Sequence, residues 1–154
     1  MFANRFTVLH PDRVLAASVG SPGGWPIAPV KMWNNQELRY PIGISDLKDL
    51  TGKEFDMETY KKVPQLFYLG DQDENDSVPY GDSYEEEDRI IINELFGSTP
   101  VKRWPESEKV YKEFGVNAVF RLYTGVKHRP TIGSVKETKA LFRKAMEESR
   151  QYSE

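Results

Sequence analysis

Residues 66–69, Leu-Phe-Tyr-Leu, constrain this chain more than any other stretch. They form an unbroken apolar run between Pro64 and Gly70, with no polar alternation. A strand of that kind has both faces covered, which is the condition of a strand inside a parallel sheet. Two further segments read as its partners. Arg13–Gly20 is a short apolar run closed by Ser21-Pro22-Gly23-Gly24, and Ala118–Val126 alternates Val119, Arg121 and Tyr123 against Phe120, Leu122 and Thr124. Helical patterns separate the three, and strands separated by helices imply parallel units with right-handed crossovers. The expected fold is α/β, with three parallel strands at about 14–20, 64–70 and 118–124 in one domain spanning 1–154.

The helices are read from period and caps. Residues 1–10 place Phe2, Phe6 and Leu9 on one face, and Pro11 ends the helix. Short helices are expected from Ser45 to Leu50, capped by Ser45, and from Asp56 to Lys62. Ser83–Phe96 has Ser83 and Glu86 as a capping box, and Glu106–Phe114 has Pro105 near its first position. The last helix runs from Ser134 to Arg150, with Ser134 and Glu137 as its box and Leu141, Phe142, Ala145 and Met146 as its buried stripe. The stretch from about 22 to 62, broken by Pro26, Pro29 and Pro41, is long for a connection and reads as a cap-like insertion.

Composition excludes several function classes. Net charge is −3, so no basic surface is offered to nucleic acid. There is no cysteine, which removes disulfides and thiolate metal sites. No stretch approaches the roughly 20 apolar residues of a membrane span, and residues 1–5 lack the apolar core of a signal peptide. A cytoplasmic location is the expectation, with secretion open if a segment precedes Met1.

In an open parallel sheet the active site lies past the carboxyl ends of the strands. Asp71, Asp73 and Asp76 follow the second strand, and His128 follows the third. An acid loop followed by a histidine loop is the chain order of a hydrolytic triad, in which histidine is the general base and the carboxylate fixes its tautomer. Solvated turns rich in Asp are the ordinary alternative. A hard-cation site built from Asp71, Asp73 and Asp76 has the right oxygen ligands, but it lacks the glycine and terminal glutamate of a calcium loop.

The motifs together resemble the α/β-hydrolase family. Phe2-Ala3-Asn4-Arg5-Phe6 with Leu9-His10-Pro11-Asp12-Arg13-Val14 looks like the helix and turn that follow the nucleophile elbow. Gly70-Asp71-Gln72-Asp73 resembles the acid loop, and Asn75-Asp76-Ser77-Val78-Pro79-Tyr80 extends it in the manner of the polyhydroxybutyrate-depolymerase-like and feruloyl-esterase-like branch. Gly125-Val126-Lys127-His128 resembles the histidine loop. The resemblance implies the C-terminal part of a serine esterase, with Asp73 as acid, Asp76 as the alternative and His128 as base. It implies no cofactor and no metal. Trp25 and Trp33 would line an acyl or aromatic pocket, with cap-core packing as the other use for them. The family's Gly-x-Ser-x-Gly elbow is absent. Ser21, Ser98 and Ser134 each follow a glycine at the wrong spacing, so the nucleophile is expected upstream of Met1. The implied partners are a small-molecule ester and a complementing N-terminal half or a second copy. A non-catalytic binding or assembly protein on the same scaffold is the competing expectation.

Overall fold

The computed structural model describes residues 2–22, 26–80 and 84–151. Its elements, in chain order, are α1 (Phe2–Leu9), β1 (Ala17–Gly20), β2 (Met32–Trp33), β3 (Gln36–Glu37), α2 (Leu47–Thr51), α3 (Met57–Lys62), β4 (Gln65–Gly70), α4 (Glu86–Leu95), α5 (Pro100–Glu113), β5 (Ala118–Tyr123) and α6 (Ile132–Gln151). The fold is mixed α/β. Strands β1, β4 and β5 form a three-stranded sheet in that order, parallel throughout, with Ala17 opposite Gln65 and Gln65 opposite Ala118. The apolar run of β4 therefore lies in the middle, and Leu66, Phe67 and Leu69 are buried.

One face of the sheet carries the main core. Phe67 stacks on Phe120, and Tyr111 and Trp104 of α5 meet Phe120 edge-on. The other face is covered by α6: the Ser18 and Thr138 hydroxyls are 2.8 Å apart, and the Tyr123 hydroxyl donates to Glu137 (2.8 Å). Arg121 Nε donates to the second Glu137 oxygen (2.9 Å). The Tyr123 hydrogen bond, with help from Arg121, holds the Glu137 carboxyl below its usual range, and loss of hydration pushes Tyr123 up to about 12.

Several expectations from sequence need correction. β1 begins at Ala17, because Pro11–Arg13 forms a 3-10 turn and Val14 closes it. In α1 the buried residues are Asn4, Thr7 and Val8, while Phe2 is 80% exposed. Asn4 is buried because both ends of its amide are used: Oδ1 accepts from Ile27 N–H (2.9 Å) and Nδ2 donates to the Tyr111 hydroxyl (3.1 Å). The cap of α2 is Asp46 rather than Ser45. The cap of α4 is Glu85, paired with Asp88 in a capping box, while Ser83 lies outside the described residues. The helix expected to start at Glu106 starts at Pro100, after a Thr99 cap that accepts from Lys102 N–H, and Pro105 sits inside it. Proline there removes one backbone bond. The buried side of α5 (Arg103, Trp104, Ser107, Val110 and Tyr111) outweighs that loss.

The last helix is also longer than expected, and its box is Thr131 with Ser134: Ser134 N–H donates to Thr131 Oγ1 (2.9 Å) and Thr131 N–H to Ser134 Oγ (2.8 Å). Only the row containing Ser134 and Ala145 is buried on α6, so Phe142 and Met146 are left exposed.

Residues 26–62 are more regular than their prolines suggest. Asn34 and Asn35, both at positive φ, close the β2–β3 hairpin, as a two-residue turn of the primed kind requires. Ala28, Val30, Trp33, Leu38 and Ile42 form a second core with Ile92 of α4, Phe96 just past its end, and Val110 of α5.

Candidate functional site

The carboxyl end of the sheet is built by two loops locked together. Gly70 ends β4 and Tyr123 ends β5. Beyond them Asp71 N–H donates to Tyr123 C=O (3.0 Å), Gln72 N–H donates to Val126 C=O (2.9 Å), and Gly125 N–H donates to the Asp71 carboxylate (2.7 Å). The approach is so close that a side chain on Gly70 would collide with the Val126 carbonyl. Asp71 is thus a bracket between loops.

This bracket delivers Asp73 and His128 to one place. His128 Nδ1 lies 3.0 Å from Asp73 Oδ2 and 3.2 Å from Oδ1. An ionised carboxylate only accepts, so Nδ1 is the ring nitrogen that donates to it, and in a neutral ring this leaves the lone pair on Nε2. The Asp73 side chain is 1% exposed and that of His128 is 48% exposed. The carboxylate is therefore shielded while the ring reaches solvent. Asp73 Oδ1 also accepts from Asn75 N–H (3.0 Å), which tightens the loop around it. The Asn75 side-chain nitrogen lies 3.2 Å from His128 Nε2.

Asp76, the alternative acid, is engaged elsewhere. Its Oδ1 accepts from Arg103 Nη1 (2.8 Å) and from Val78 N–H (3.0 Å). Arg103 came from no sequence signal of its own, since it looks like one more charge on α5. Its side chain is 2% exposed, Nε donates to Gly97 C=O (2.7 Å), and Nη2 donates to Asn93 Oδ1 (3.1 Å).

The remaining sequence candidates fall away from the Asp73–His128 contact. Trp33 sits in the second core, tilted against Phe114, with the Lys109 ammonium over its ring. Trp25 lies outside the described residues. Ser21, set aside on its spacing, follows β1 with a left-handed backbone (φ 42°). Its hydroxyl is buried and has no hydrogen-bond partner among the described residues, so it is not engaged with His128. Beside the acid loop lies a cleft of about 680 Å³, lined by Asp71, Asp73, Glu74, Asp76 and Lys127 together with residues 98–101. Among the described residues no group of acidic, histidine or cysteine side chains is arranged to hold a metal. Nor, among them, is any helix long and apolar enough to cross a membrane.

No family model, curated protein or solved structure matches this chain.

Proposed function

We propose that this chain is the C-terminal part of a serine hydrolase acting on carboxylic esters, of the α/β-hydrolase type. In this reading it supplies the acid, Asp73, and the base, His128. The serine and the oxyanion hole come from a segment outside this sequence. The observation that carries the reading is the contact between a shielded Asp73 and a half-exposed His128 past the ends of two adjacent parallel strands.

The chemistry follows from that contact. His128 Nε2 takes the proton from the serine hydroxyl as its oxygen bonds to the ester carbon. The same nitrogen then returns that proton to the departing alcohol. Water repeats the sequence on the acyl-enzyme. Asp73 keeps the proton of Nδ1 in place and stabilises the imidazolium. The neighbouring cleft carries more carboxylates than cations, which disfavours anionic esters and suits neutral ones.

The test is ester hydrolysis by the chain joined to the segment that precedes it in its coding frame. The expected result is an in-frame Gly-x-Ser-x-Gly and turnover of p-nitrophenyl acetate that falls by roughly a thousandfold or more in H128A. The chain alone is expected to show only background. Turnover by the chain alone that disappears in S21A would overturn the upstream serine, and turnover indifferent to H128A would overturn the triad.

A second reading, a non-catalytic binding or assembly protein on this scaffold, is favoured by Asn75, whose amide nitrogen occupies the space beside Nε2. Co-purification of a partner with no ester turnover from the joined chain would support it.

A further inference from the structure

Asp73 lies in a loop whose two ends are held by different means. Its first residues are bonded to the histidine loop, through Asp71 and Gln72. Its far end is held by Asp76, and Asp76 is held by Arg103. We propose that Arg103, acting through Asp76, is a positioning residue that fixes the Asp73 carboxylate against His128. This rests on the reading of Asp73 and His128 as acid and base.

The Arg103–Asp76 ion pair is largely withdrawn from solvent. Removing both charges from water offsets much of their attraction, so such a pair is a weak device for stability. A planar guanidinium with several bonds is, in contrast, a strong device for fixing geometry. Arg103 uses all three nitrogens: Nε on the carbonyl of Gly97 after α4, Nη2 on Asn93 within α4, and Nη1 on Asp76. The acid loop is thereby referred to the end of one helix and the first turns of another. Asp76 passes this on through Val78 N–H on one side, while on the other Asn75 bonds Asp73 through its backbone and touches the His128 ring through its side chain. Lysine in place of Arg103 keeps the charge but gathers its donors on one nitrogen, which cannot span the three acceptors that the planar guanidinium reaches from three nitrogens.

The experiment is nitrogen and proton NMR of the His128 ring in the full chain and in R103K. In the unmodified chain a single tautomer is expected, protonated at Nδ1, with a slowly exchanging Nδ1–H. In R103K, still folded by circular dichroism, the expected result is loss of that slow signal and a mixture of tautomers. An unchanged tautomer and unchanged exchange in a folded R103K would overturn the proposal. Should R103K not fold, D76N/R103Q removes both charges of the pair together and carries the same readout, with the same two outcomes. The measurement needs no ester turnover. A changed ring with an inactive joined chain would leave the positioning role standing and bring down the hydrolase reading, and active enzyme with an unchanged ring would do the reverse.

Discussion

Asn4 shows how much one polar side chain can decide. It is fully buried on α1, and its amide joins the backbone of Ile27 to the hydroxyl of Tyr111. Tyr111 in turn donates to Ile27 C=O (2.8 Å), and Tyr60 donates to Tyr111 (3.2 Å). Replacing Asn4 by alanine would strand the Ile27 N–H in the core. We expect a loss of about 1–3 kcal/mol, read as a lower urea midpoint with an unchanged slope. The two tyrosines make a pH prediction as well. Burial pushes Tyr60 from 10.0 up to about 12 and holds Tyr111 well above its ordinary value. Their folded values exceed the unfolded ones, so their contribution is complete below pH 10.0 and declines above it, that of Tyr60 being lost as pH rises through about 12. Thermal melts across that window should fall steadily in the unmodified chain and more shallowly in Y60F. Equal slopes in the two proteins would contradict the assignment.

At the scale of elements, the sheet was legible because β4 advertises burial on both sides and its neighbours are bounded by Pro and Gly. The loop order was legible too, since Asp73 and His128 follow strand ends. What escaped was chiefly which side chains the tertiary packing buries. Period alone gave α1 the Phe2, Phe6 and Leu9 face, yet the core accepted Asn4 and Thr7 because their polar groups found partners. Pro105 suggested a helix start at Glu106, yet the Thr99 cap and the buried row of α5 carry the helix across the proline. Arg103 was illegible because nothing in its neighbours marks one cation on a charged helix as the buried one. The hairpin did leave a signal in Asn34-Asn35 between short apolar and polar pairs, a turn that favours positive φ. The interlocked loops give a prediction at this scale. Gly70→Ala forces the acid loop away from Val126, so the slow Nδ1–H of His128 should disappear even though that substitution touches neither partner. Retention of that signal in a folded G70A would show that the two loops tolerate separation.

For the molecule as a whole, the sheet is open at both margins, since among the described residues β1 bonds only to β4 and β5 only to β4. Uncovered strand edges invite pairing with another chain. Leu15, beside β1, and Val119 and Leu122, on β5, add exposed apolar surface at those margins. We expect the purified chain to self-associate in sedimentation at micromolar concentration, with slow amide exchange at Ser18 and Gly20, whose N–H groups alternate with those bonded to β4, only in the associated form. A monomer with those two amides well protected would point to a self-sufficient fold.

The order of the strands has a temporal consequence. Asp73 and His128 are 55 residues apart in sequence, and their contact presupposes that β4 and β5 have already found register across the whole of α4 and α5. Closing so long a loop yields nothing until the pairing is made. The ring of His128 is thus a clock for the folding reaction: in refolding followed by histidine resonances, its native signal should arrive with the slowest amplitude, after the helices have formed.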